Sequence, residues 1–266
     1  MAESGRALVG VPGPDLRSSA RRRACAGGES RGAFGGGGAV ELRGLERGWR
    51  ASGSVDEESR FLRGLVRAGE LTGEALDVAA LLGHEAAARA LGRDPVVVES
   101  HAAWCLALEE RPGWSKEAKV RATLAALEAC EFWESDRLAW LEWQPSRRAV
   151  ELGVRCLERY ALCPCPAHDR QRRQAVRAIS RLQRDESLWP PADRDYAEHQ
   201  FHYGYLLIGH GMVQQGPLFP TLQNLSSDGY AGLAVGREAI RTELVPWLLK
   251  RGDPLRERIR ARRPGD

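Results

Sequence analysis

Residues 160–174 read Tyr-Ala-Leu-Cys-Pro-Cys-Pro-Ala-His-Asp-Arg-Gln-Arg-Arg-Gln, and they set Cys163, Cys165 and His168 close together in the chain. Thiolate sulfur and imidazole nitrogen are the donors that zinc and other soft ions take, so the residue types suit a metal or redox site. The spacing suits it less well. Structural zinc sites commonly use two such pairs, each with about two to four residues between its ligands. Here one residue separates the cysteines, no second pair follows, and Cys156 or Cys130 would have to bring a fourth ligand from elsewhere. Pro164 and Pro166 favour a plainer account. Proline lacks an N–H and disfavours helix in the residue before it, so one helix ends here and another starts near His168. The favoured expectation is a helix seam packed with small reduced thiols, with zinc at Cys163, Cys165 and His168 as the alternative.

The arginines after that seam have a helical rhythm. Arg170, Arg173, Arg177, Arg181 and Arg184 stand at offsets 0, 3, 7, 11 and 14. On a helix they fall within an arc of roughly 80°, opposite Ala175, Ile179 and Leu182, and Arg172 falls outside it. Such a stripe can track phosphates or an acidic partner, so nucleic-acid binding is an expectation to test. No aromatic residue interleaves with it, which argues against stacking on single strands. A solvated helix face in an arginine-rich chain is the competing and favoured account.

Residues 195–211 hold His199, His202 and His210. On a helix, Asp195 would share a face with His199, and Glu198 with His202, an arrangement able to ligate a metal or move a proton. Tyr196, Phe201, Tyr203 and Tyr205 crowd the same segment, and packed histidines among aromatics explain it as well. Two further patterns lack their context. Ser30 lies in Gly-Glu-Ser-Arg-Gly without the strand and helix a nucleophile elbow needs, and His84-Glu85 lacks the second histidine of a zinc-protease motif.

Helices must position all of these groups. Ser54-Val-Asp-Glu57 reads as a capping box opening a helix with Phe61, Leu62, Leu65 and Val66, closed at Gly69. Thr72 opens a second helix, stopped at Gly83, and a third runs from His84 to Leu91 before Gly92. Ser115 opens a helix with Val120, Leu124 and Leu127 on one face, and Ser146 opens another with Val150, Val154, Leu157 and Ala161. A helix over about 168–184 follows. Another resumes near Arg237, carries Pro246 and closes at Gly252, and Asp253-Pro254 caps a last basic one. The run Pro-Val-Val-Val-Glu-Ser at 95–100 is the one strand-like stretch and is too isolated to build a sheet. The expected fold is all-α, an irregular, solenoid-like array of stacked helical hairpins. Its expected parts are a disordered Gly/Arg/Ser-rich tail over 1–39, a helical domain over 40–252 and a short basic helix over 253–266.

Residues 65–92 (LVRAGELTGEALDVAALLGHEAAARALG) and 160–171 (YALCPCPAHDRQ) together resemble a family of helical proteins from GC-rich bacteria with no assigned activity. The resemblance covers about a third of the folded part. It implies a helical fold and transfers no catalytic residue.

Composition narrows the remaining choices. Formal net charge is +3 over 266 residues, too small for a global nucleic-acid-binding field, and only three of the 39 basic residues are lysine. That bias suits a GC-rich genome. No apolar run reaches the roughly 18 residues that span a bilayer, and the first residues lack a signal peptide's apolar core. A cytoplasmic protein without a membrane role, its six cysteines reduced, is expected. Trp133, Trp140 and Trp143 are read as gap-fillers between helices rather than as an interface. No complete catalytic constellation is present. The expected function is a non-catalytic scaffold or protein-interaction module, with a metal-dependent protein and an arginine-stripe binder as alternatives.

Overall fold

The computed structural model describes residues 36–95, 100–129, 144–184 and 230–262. Among them are ten helices and no strand: α1 (Gly36–Ser52), α2 (Val55–Arg67), α3 (Gly73–Leu81), α4 (Glu85–Ala90), α5 (His101–Glu109), α6 (Lys116–Ala129), α7 (Gln144–Leu162), α8 (Pro166–Arg184), α9 (Tyr230–Leu248) and α10 (Pro254–Ala261). The fold is all-α, as the periodicity requires. No described helix is long and apolar enough to cross a membrane.

Side chains written into the sequence start most of these helices. Thr72, Ser100 and Asp253 each accept the N–H three residues on, at 3.1, 3.4 and 3.1 Å. Ser115 does the same for Ala118 at 3.1 Å. At α2 the capping box is half formed. Ser54 Oγ accepts from the Glu57 N–H at 3.2 Å, but the Glu57 carboxylate turns to Arg60 at 2.6 Å, and the Ser54 N–H donates to Ser52 Oγ instead. His84 caps α4 through Nδ1, which accepts the Ala87 N–H at 3.2 Å. That bond leaves the ring proton on Nε2, 3.2 Å from the Glu58 carboxylate.

Glycines close α2, α3 and α4 with left-handed residues at Gly69, Gly83 and Gly92. In each, the next N–H reaches back to a carbonyl of the last turn: Glu70 to Leu65, His84 to Ala79, Arg93 to Ala88. This Schellman geometry needs positive φ, which glycine adopts without a Cβ clash. Helix α9 ends the same way without glycine. Lys250, not Gly252, is the left-handed residue, at φ 55°, and Arg251 N–H donates to Pro246 O at 2.8 Å. Boundaries shift elsewhere too. Helix α1 begins at Gly36, inside the segment expected to be tail, and α7 begins at Gln144, so Ser146 lies within its first turn. Helix α8 starts at Pro166, where the missing N–H of the first position costs nothing.

The hairpins α1–α2, α3–α4 and α7–α8 pack as adjacent pairs, and α9 closes the array by packing along α6 and against α3. Gly64 lets α1 approach α2, with Leu45 and Leu42 at 2.9 and 3.0 Å from where a Cβ would sit. Helix α6 is enclosed on every side. Val120, Arg121, Ala122, Thr123, Leu124, Ala125 and Ala126 are all buried, so the single apolar face expected there understates its burial. Around it lie Trp104, Leu108, Leu157, Tyr160, Ile240 and Leu244. Helix α10, the short basic helix expected after Asp253, buries Leu255 in this core and belongs to the same compact unit.

One buried cation joins four of these elements. Arg121 donates to Asp253 at 2.8 and 3.2 Å, to Glu117 at 3.3 Å and to the Ala161 carbonyl at 3.0 Å. It also lies 3.5 Å from Glu243 and faces the Trp247 ring at 4.6 Å.

Candidate functional site

Helices α7 and α8 meet at the corner that carries Cys163, Cys165 and His168. Proline on either side of Cys165 restricts both cysteines to extended backbone and stops α7 at Leu162. The Cys165 N–H donates to Cys163 O at 2.7 Å, and the Asp169 N–H donates to Cys165 O at 3.0 Å as α8 begins. This tight turn aims three donor groups at one place. Cys163 Sγ, Cys165 Sγ and a ring nitrogen of His168 lie within 4.8 Å of one another, all half-buried. His168 Nδ1 is 3.4 Å from Cys165 Sγ and 2.9 Å from Cys163 O. A carbonyl only accepts, so in this state Nδ1 carries the proton.

The charges beside this corner hold it in place. Asp169 takes Lys116 Nζ of α6 at 2.6 Å, Arg172 at 3.0 Å and Arg173 at 3.3 Å. The hydrogen bond from Lys116 holds the Asp169 carboxyl below its usual range against partial burial, and Arg172 adds to the effect. Lys116 and Arg172 also face the Tyr160 ring at 5.2 and 5.7 Å. Arg172 is itself buried, in keeping with its place outside the stripe. The first turn of α8 is thus tied to α6 and α7 by two cations shared between one carboxylate and one ring.

Cys156 is not part of the cluster. It lies buried on α7, about two turns before Cys163, where burial pushes its thiol up. Cys130, Ser30, His199, His202 and His210, the three tryptophans at 133, 140 and 143, and the strand-like run at 96–99 lie outside the described residues. Among the described residues Cys105, Cys156, Cys163 and Cys165 form no disulfide.

No protein-family model, curated protein or solved structure matches this chain. The resemblance carried by residues 65–92 and 160–171 therefore gains no family behind it, and the surface has to be read from its own chemistry.

Of the arginine stripe, Arg170, Arg173, Arg177 and Arg181 are exposed on α8, and the Arg184 side chain is outside the described part. Asp169 already partners Arg173. A second set of arginines, which sequence reasoning passed over, has a different setting. Arg60, Arg63 and Arg67 recur at i, i+3 and i+7 on α2 and border a groove of about 560 Å³. Its apolar lining includes Leu45 of α1, Val66 of α2, Leu76 of α3 and Leu91 after α4. Arg60 is paired with Glu57, whereas Arg63 and Arg67 have no ion-pair partner among the described residues. The repeat was visible in the sequence. The groove was not, because four separate segments build its floor.

Proposed function

We propose that this chain is a non-catalytic helical docking module, and that its groove along α2 receives an acidic amphipathic helix of a partner protein. One observation carries the reading: an apolar trough with a row of arginines on its border, two of them without ionic partners among the described residues. An apolar helix stripe needs such a trough to leave water, and carboxylates on its flank need cations within reach. The chain's own first segment suits the groove poorly by charge. Residues 1–35 carry six arginines against three acidic residues, the same sign as the border.

Designed peptides test this without knowledge of the natural partner. Two amphipathic helices with the same apolar face, one with Glu and one with Lys on its flanks, are titrated against the full chain by fluorescence anisotropy. The acidic peptide should bind and the basic one should not, with affinity falling as salt rises. Arg63→Ala with Arg67→Ala should weaken the acidic peptide about 30-fold, from roughly 1 kcal/mol for each exposed pair lost. Equal binding of both peptides refutes the reading, as does binding that ignores the two substitutions. Duplex DNA binding that is lost on replacing Arg173, Arg177 and Arg181, with no peptide binding, would transfer the function to the α8 stripe.

A further inference from the structure

We propose that the α7–α8 corner is a binding site for one thiophilic d10 metal ion, Zn(II) or Cu(I), held by Cys163 Sγ, Cys165 Sγ and His168 Nδ1. The site is separate from the groove and does not depend on it. Its geometry is already close to that of a loaded site. A tetrahedral ion with bonds of about 2.3 Å to sulfur and 2.0–2.1 Å to nitrogen sets those atoms roughly 3.5 Å apart. Cys165 Sγ and His168 Nδ1 stand at 3.4 Å. Cys163 Sγ lies within 4.8 Å of Cys165 Sγ and of a ring nitrogen of His168, so it needs to approach by no more than roughly 1 Å to reach the spacing of a loaded site.

Three further features suit this ligand set. The prolines limit the conformations open to the cysteine pair, which lowers the ordering cost of binding. Asp169, Lys116, Arg172 and Tyr160 pin the first turn of α8, so the histidine is presented from a fixed helix. The aligned N–H groups at the start of this 19-residue helix stabilise the negative charge that two thiolates bring. On binding, each thiol releases its proton to solvent and gives its sulfur lone pair to the ion. The Nδ1 proton moves through solvent to Nε2 as the hydrogen bond to Cys163 O breaks, so two protons are released in all. No electron is transferred. Three protein donors complete a trigonal Cu(I) site, and they leave one position of a tetrahedral Zn(II) site for water.

The test uses the full chain, reduced and metal-free, titrated with Zn(II) and separately with Cu(I) against a chromophoric chelator, with Mg(II) as the hard-ion control. Co(II) loading adds a readout of the ligands, because thiolate-to-metal charge transfer absorbs in the near ultraviolet. One equivalent should bind, with Mg(II) inert. Cys163→Ser and Cys165→Ser should each lower affinity at least about 10–100-fold, the loss seen even for outer partners of a metal ligand. Cys156→Ala should leave it unchanged. Circular-dichroism melts of the metal-free variants separate a lost ligand from a lost fold. Uptake of Zn(II) alone identifies the four-coordinate form and uptake of Cu(I) alone the trigonal one; either carries the proposal. It is overturned if neither ion binds stoichiometrically, or if the double Cys163→Ser, Cys165→Ser variant binds as the parent does.

Discussion

Replacing Arg121 with methionine tests how the array is held together. The guanidinium is 2% exposed and contacts Glu117, Glu243, Asp253, the Ala161 carbonyl and the Trp247 ring. Methionine fills much of the volume and supplies neither charge nor donors. It leaves three carboxylates and a carbonyl around an apolar side chain, with Arg258 still reaching Glu243 at 3.2 Å. Removing one member of a buried ion cluster costs about 3–5 kcal/mol. Here the cost falls chiefly on Glu243, which is 2% exposed, because Glu117 and Asp253, at 24% and 23%, keep some access to water. That is a large part of a typical total of about 5–15 kcal/mol. At roughly 2–4 °C for each kcal/mol in a chain of this size, the melting midpoint should fall about 6–20 °C. Urea unfolding followed by circular dichroism measures the loss directly, as a lower midpoint with an unchanged slope.

The direction of pH dependence gives a second check. Burial pushes Glu243 and Glu117 above the usual carboxyl range, and Arg121 partly restrains both. Without Arg121 both should rise further. A carboxyl with a raised folded pKa binds its proton in the folded state first, so stability increases as pH falls toward its unfolded value. The Arg121→Met protein should therefore recover part of its deficit between pH 7 and pH 5, and adding Glu243→Gln should recover part of it at pH 7. A loss below about 1 kcal/mol, or a deficit that does not change with pH, would refute the assignment of Arg121 as the charge that balances this cluster.

Other substitutions probe the packing around it. Gly113 admits no side chain, since a Cβ there would stand 2.5 Å from the Glu74 carbonyl oxygen, so Gly113→Ala should cost about 1–3 kcal/mol in urea unfolding. Gly64→Ala should cost less, because the atoms it meets are the ends of two leucine side chains. Lys250→Gly should stabilise the chain by about 0.5–1 kcal/mol, removing the Cβ strain of a left-handed residue at some cost in unfolded-chain entropy, and thermal melts will register the gain. Glu58 is pushed up by burial but pulled further down by hydrogen bonds from His84 and Arg251, ending below its ordinary 4.5. Its contribution is present above that pH and lost as pH falls through the folded value. Glu58→Gln should thus destabilise by about 1–3 kcal/mol at pH 7, with the gap to the parent narrowing in acid melts.

Much of the architecture is legible along the chain, for a local reason. Thr72, Ser115 and Asp253 cap through bonds spanning three residues. Ser100 caps α5 in the same way, but the strand-like run that ends on it hid that helix from the sequence reading. Gly69, Gly83 and Gly92 end helices by a conformation that belongs to single residues. Where such a signal could be satisfied in another way, the reading slipped. Glu57 turned to Arg60 rather than completing its capping box, and Lys250 took the left-handed turn two residues before the expected glycine. The enclosure of α6 left little trace in its pattern, because small alanines let neighbours approach from every side.

The amino-acid order by itself determined the helical class, most helix ends, the close spacing of Cys163, Cys165 and His168, and the arginine rows on α2 and α8. Each depends on contacts within a turn or two of the chain. Tertiary structure alone decided which of these features face an interior or a groove. It placed Asp253 against Arg121 across 132 residues, brought Lys116 to Asp169 across 53, and set Arg60, Arg63 and Arg67 beside a floor drawn from four segments. Those juxtapositions follow from the packing of α6 between α7 and α9 and of α2 against α1 and α4, and no periodicity within a single helix encodes which neighbour covers it.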